Sequence, residues 1–174
     1  MTSPNNPEHR SEQAKAAALD LDGRFDGAVH AYPLRVQYED TDAGGIVYHA
    51  QYLAFAERGR SAWLRCLGVD QTALLAGAGK GFVVRHIEID FMQPARLGTV
   101  LEVASRLIRL GGASLKLQQD VKNIEDGLIL ARLFVEIGFV DLAGASVPRA
   151  CRLPAEITSQ LSAVLAPMPA LSSG

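Results

Sequence analysis

Three acids, Glu39, Asp40 and Asp42, stand just ahead of a glycine pair, Gly44 and Gly45, and of the dipeptide Tyr48-His49. A carboxylate so placed can attack a carbonyl or take a proton from water, and an imidazole titrates where it can assist. Glycines lack a Cβ, so they permit a tight turn and a close approach of substrate to backbone. A structural reading stands beside the chemical one. The helix dipole alone favours an acid ahead of a helix, and a lone histidine near a helix start is more often structural than catalytic.

A helix must position these groups. Apolar or small residues recur at Tyr48, Tyr52, Phe55, Ala56, Gly59, Ala62, Trp63, Cys66 and Leu67, the three-or-four spacing of one buried face. The spacing predicts a core helix to about Leu67, stopped by Gly68. Its first backbone N–H groups, near Tyr48 and His49, have no partner inside the helix and could stabilise negative charge on a carbonyl oxygen. Glycine inside a helix is unfavourable by about 1 kcal/mol relative to alanine, so Gly59 points to close contact with a neighbouring strand or subunit. Glu57, beside Arg58 and Arg60, reads as a structural ion pair. A short second helix is expected over 69–76, with Asp70 as its cap.

The remaining elements read as strands, over 32–38, 82–91, 99–110, 113–123, 128–140 and 145–152. Gln93-Pro94, Leu97-Gly98, Gly111-Gly112 and Asp126-Gly127 separate the middle four, and connections this short make neighbours antiparallel. The run 128–140 is apolar at nearly every position, which predicts a strand covered on both faces. A last helix is expected over 155–165. The plan is α+β, an antiparallel sheet of about five or six strands wrapped around one long helix. Its organisation reads as an extension over 1–31, expected to be flexible, a domain over 32–153, and a C-terminal helix with a disordered tail over 154–174.

Composition limits the function classes. The chain has 174 residues, 48% of them hydrophobic, enough for one sizeable core. A net charge of −2 gives no basic surplus, so no nucleic-acid partner is expected. No apolar run has the length of a signal peptide or a membrane span, and a cytoplasmic location is expected. Cys66 and Cys151 have neither CxxC spacing nor a disulfide framework and read as buried free thiols. The four histidines lack ligand spacing, so no metal is expected.

The stretch YEDTDAGGIVYHAQYLAFAERGR, from Tyr38 to Arg60, resembles the signature of the hotdog-fold acyl-CoA thioesterases, in the branch of 4-hydroxybenzoyl-CoA thioesterase and the Tol-Pal-associated YbgC proteins. GFVVRHIEIDF, PARLG and GGASLKLQQ follow in the family's order, so the resemblance covers about Pro33 to Leu153. It implies the hotdog fold with a dimer as the smallest working unit, and leaves dimer or tetramer, a dimer of dimers, open. It puts Asp42 in the place of the catalytic carboxylate, as nucleophile or general base, and gives the N–H of His49 the role of polarising the thioester carbonyl. His49's side chain could also donate a proton.

Tyr38 and Tyr48 are implied as pocket lining or as packing, with Gly44 and Gly45 at the thioester. Phe82, Val83 and Val84 match acyl-contacting positions, and Ser114 lies in the block associated with the pantetheine arm. Arg85, Arg106, Arg109, Arg149 and Arg152 are candidates for the CoA phosphates. The expected partner is an acyl-CoA or acyl-carrier-protein thioester. CoA is then substrate, and no cofactor is implied. The alternative in another class is a non-catalytic acyl-binding or scaffold module of the same fold, which has no need of a carboxylate beside a thioester. A carrier-linked dehydratase would want a histidine and an acid placed differently.

Overall fold

In the computed structural model the described residues are 21–143 and 147–165. The first twenty residues of the expected extension and the expected tail from 166 onward lie outside them. The long helix, α1, spans Gln51–Cys66 and buries Tyr52, Phe55, Ala56, Gly59, Ala62 and Trp63, the face that the spacing predicts. Gly68 ends it at φ +78°, a conformation that L side chains resist. A short helix, α2, spans Gln71–Ala78, and Asp70 caps it by accepting the Ala73 N–H at 3.0 Å. It runs two residues beyond the expected 69–76, to the left-handed Gly79.

Among the described residues seven strands form one antiparallel sheet: β1 Arg24–Asp26, β2 Val29–Arg35, β3 Lys80–Phe91, β4 Val100–Leu110, β5 Ser114–Asn123, β6 Ile129–Asp141 and β7 Arg149–Ala150. Their order is β1-β2-β4-β5-β6-β3, and β7 lies beside the last residues of β6. The last helix, α3, spans Ala155–Ala163 and buries Ile157 and Leu161. The sheet holds α1 against β2, β4 and β5. Phe55 and Trp63 pack there against Leu101, Val103, Leu107, Leu117 and Leu133 in one core.

Three expectations are corrected. The strand placed at 32–38 runs from Val29 to Arg35 and is preceded by β1, so 24–31 pairs in the sheet and is not a loose extension. The signal was Gly27, which opens the two-residue turn Gly27-Ala28 between the paired residues Asp26 and Val29 and has φ +57°. The strand stops early because Tyr38–Asp40 forms a 3-10 turn, where the Asp40 carboxylate accepts the Gln37 N–H at 2.7 Å. Asp40, one of the three acids ahead of the glycine pair, is buried and structural. Second, β6 is covered on both faces toward its end, where Gly138, Phe139 and Val140 are all buried, but on one face only through its middle. Ala131, Leu133 and Val135 are completely buried, while Arg132, Phe134 and Glu136 between them are half-buried, the alternation of an antiparallel strand with a solvated outer face. Third, residues 145 and 146 of the strand expected over 145–152 lie outside the described residues, and among the described ones Arg149 and Ala150 form the strand, directly after Pro148, which has no N–H for a ladder.

Gly59 has a packing reason. A Cβ there would lie 2.8 Å from Val103 Cγ1, so its absence lets α1 settle onto β4. Next to it, buried Arg60 donates to Gln119 Oε1 at 2.7 Å, and Gln119 Nε2 donates to the Ala56 carbonyl at 3.0 Å and to Ser105 Oγ at 2.8 Å. Glu57 pairs with Arg60, the ion pair that the spacing predicts. This satisfied polar cluster fixes the register of α1 on the sheet.

Candidate active site

Asp42 opens a tight turn. Its Oδ1 accepts the Gly44 N–H at 2.8 Å, and its carbonyl accepts the Gly45 N–H at 3.0 Å. An aspartate bonding to backbone two residues on is a turn device in its own right. Both glycines serve it: Gly45 has φ +71°, and a Cβ on Gly44 would lie 3.1 Å from Asp42 Oδ1. The turn closes a narrow ribbon in which the Asp42 N–H donates to the Ile46 carbonyl at 2.9 Å and Thr41 pairs with Val47. One carboxylate oxygen is thus held by backbone on an exposed loop, and the other has no partner among the described residues.

The ribbon leads into α1. The Tyr48 N–H donates to the Asp40 carbonyl at 2.9 Å, and the Gln51 N–H donates to the Tyr48 carbonyl at 2.8 Å. Between them the His49 N–H has no acceptor among the described residues. The helix begins on Ala50, with no side-chain cap and no acid in its first turn. Alanine is a poor capping residue, by about 1 kcal/mol relative to Ser, Thr, Asn or Asp, so this helix start is left open to another acceptor. Of the two amides expected as donors, Tyr48's is therefore spent on the fold and His49's is available.

The ribbon is anchored by residues outside the acid-glycine motif. Tyr52, in the first turn of α1, accepts the Ala95 N–H at 3.0 Å through its hydroxyl. The Ala95 carbonyl accepts the Val47 N–H at 2.9 Å, and Arg96 pairs with Ile46. The signal was the PARLG block, which the resemblance matched without giving it a role. Burial pushes the Tyr52 phenol above its ordinary pKa, partly opposed by the Ala95 N–H, so the hydroxyl stays neutral. A cavity of about 330 Å³ adjoins this anchor, lined by Ile46, His49, Tyr52, Phe91 and Met92. The His49 ring is exposed, 4.4 Å from the Tyr48 ring and 6.3 Å from that of Phe91, centroid to centroid.

The remaining expected residues fall into groups. Phe82 and Val84 line a cavity of about 170 Å³ with Trp63, Leu115 and Ile137, and Glu57 and Arg60 also face it. Val83 points to the other face of β3, as alternation requires. It shares a rung with Gly138 and Ser114, so Val83 and Ser114 lie together on the outer face, apart from that cavity. Tyr38 is 82% exposed in its 3-10 turn, and Tyr48 is half exposed. Among the arginines, Arg109 lies 3.5 Å from Glu136, and Arg85, Arg106, Arg149 and Arg152 are exposed. Among the described residues no cluster of His, Cys, Asp or Glu has the makings of a metal site. Cys66 and Cys151 are free, each partly buried, and burial raises the Cys66 thiol pKa.

Known proteins bear on this arrangement. The model of the thioesterase superfamily matches residues 44–130, beginning two residues after Asp42. The acyl-CoA thioesterase YbgC of Haemophilus influenzae is 40% identical over 112 residues, 64% of this chain and 81% of that protein. The acyl-CoA thioester hydrolase YbgC of Escherichia coli O6:H1 is 45% identical over 98 residues, 56% of this chain and 72% of that protein. A solved probable thioesterase from Bartonella henselae superposes with a TM-score of 0.65 at 41% identity, covering 72% of this chain and 99% of that one. With half of its length matched by the family model and its sheet and helix shared with a solved relative, this chain belongs to the thioesterase superfamily, as a hotdog-fold member of its YbgC family.

Proposed function

We propose that this chain hydrolyses an acyl-CoA thioester to the free acid and CoA, with Asp42 as its catalytic carboxylate and the His49 N–H polarising the thioester carbonyl. Family membership supports thioester hydrolysis, and the two YbgC relatives supply the acyl-CoA class. One observation carries the assignment of residues. A carboxylate with one oxygen held by Gly44 stands on a ribbon clamped to an uncapped helix start, where the His49 N–H is unspent. In this reaction negative charge develops on the carbonyl oxygen, and a donor aimed at it contributes about 3 kcal/mol to the transition state. Asp42 either attacks the carbonyl carbon, expelling CoA thiolate and leaving a mixed anhydride that water cleaves, or takes a proton from the water that attacks.

The acyl group sits against apolar wall in this reading, of the kind that Phe82 and Val84 give their cavity. The working unit is a dimer or a dimer of dimers. In support, β3 runs over twelve residues with β6 as its one partner strand among the described residues, leaving the other edge to pair with a second copy. The cytoplasm is the compartment, consistent with the free thiols Cys66 and Cys151. Among the described residues no helix is long and apolar enough to cross a membrane. Released thiol, followed over short, long and aromatic acyl-CoAs, tests the reading. Asp42→Asn should lose most turnover while keeping its melting temperature, and wild-type turnover in that variant would defeat the assignment.

A further inference from the structure

We infer that Tyr52 is a positioning residue for Asp42, acting through the Ala95 peptide; the inference rests on the catalytic reading of Asp42. The hydroxyl is the relevant part. Tyr52 is 3% exposed, and its ring packs edge-on against Phe55 and Phe91 at 6.1 and 5.6 Å. A phenylalanine would make those same contacts without the cost of burying a hydroxyl. What the hydroxyl adds is an acceptor for the Ala95 N–H, which is itself in a buried residue. Ala95 faces two ways: its N–H goes to Tyr52 on α1, and its carbonyl accepts from Val47 on the ribbon. Arg96 extends the join by pairing with Ile46, and the Ile46 carbonyl accepts the Asp42 N–H.

Hydrogen bonds on both sides of the Ala95 peptide thus tie the first turn of α1 to Val47, and its covalent neighbour Ile46 holds the backbone of Asp42. The same helix start presents the His49 N–H. Tyr52 therefore fixes the separation between the group that attacks or activates and the group that polarises. Small misplacement of reacting groups lowers rate without weakening binding.

The test is Tyr52→Phe in the full chain, measured beside Asp42→Asn and the double variant. A non-hydrolysable thioether analogue of acyl-CoA measures binding independently. The expected result is a kcat lower by about tenfold to a hundredfold, with KM and analogue affinity within about twofold. In the Asp42→Asn background the same change should cost almost nothing, because there is no longer a carboxylate to place. A second variant, Ala95→Gly, loosens the same peptide without touching α1 and should lower kcat in the same sense. Wild-type kcat in Tyr52→Phe, a loss confined to KM, or equal losses in both backgrounds would overturn the inference. Wild-type turnover in Asp42→Asn would instead remove the reading beneath it.

Discussion

The Tyr48 N–H donates to the carbonyl oxygen of Asp40 at 2.9 Å, across the ribbon that carries Asp42. This one bond assigns roles to neighbours that look alike in sequence. It removes Tyr48 from the set of free donors and leaves His49 next in line. The Asp40 carboxylate is committed separately, to the Gln37 N–H at 2.7 Å.

If the His49 backbone is what polarises the carbonyl, its side chain matters less than its N–H. His49→Ala keeps the amide and should hold kcat within about tenfold, whereas His49→Pro deletes it and should lose about a hundredfold to a thousandfold. Steady-state kinetics on both, with circular dichroism to check the helix, decides the matter. Equal effects in the two variants would move the role to the imidazole.

The turn at Asp42 depends on glycine geometry. Gly45→Ala forces a side chain into φ +71°, a strain of about 1–2 kcal/mol in a loop that few other contacts hold. Turnover should fall more than thermal stability does, because the ribbon is exposed while the core lies elsewhere. Gly44→Ala adds a Cβ 3.1 Å from Asp42 Oδ1 and should act in the same direction. Parallel melting and rate measurements on each variant give the comparison.

At Gly59 two effects oppose each other. Alanine is the better helix former by about 1 kcal/mol, but its Cβ would stand 2.8 Å from Val103 Cγ1 and 3.1 Å from Val103 Cβ, on a stiff, fully buried side chain. Overpacking of this kind costs about 1–3 kcal/mol, so Gly59→Ala should be net destabilising. Adding Val103→Ala should recover part of the loss despite its own cavity. Chemical denaturation of the two single variants and the double variant measures the coupling, and a stabilised Gly59→Ala would refute the close-contact account.

His30 gives the fold a pH dependence. It is fully buried, its Nε2–H donates to the Asp22 carbonyl at 2.8 Å, and its Nδ1 has no partner among the described residues. Burial lowers its pKa, outweighing the opposing pull of the Asp22 carbonyl and carboxylate; nearby Arg65 lowers it further. Below the unfolded value near 6.5 the unfolded chain binds a proton that the folded chain resists. Stability should therefore rise with pH up to about 6.5–7 and fall as pH drops below that, through the lowered folded value. Melting temperature between pH 5 and 8 is the measurement. His30→Gln should flatten the slope, and an unchanged slope would assign it to other groups.

Much of this protein was legible one residue at a time. The buried stripe of α1, the Asp70 cap, the Gly68 stop and the alternation in β5 are short-range consequences of sterics and hydrophobic period, so the sequence determined them alone. The glycine turn at Asp42 was legible for the same reason, since its bonds close within four residues. Tertiary structure alone decided which amide is free and why Tyr52 carries a hydroxyl. Those answers depend on Asp40 meeting Tyr48, and on Ala95 meeting both Tyr52 and Val47. Ala95 lies more than forty residues from each of these last two, and no local pattern records pairings that form only when the sheet closes over the helix.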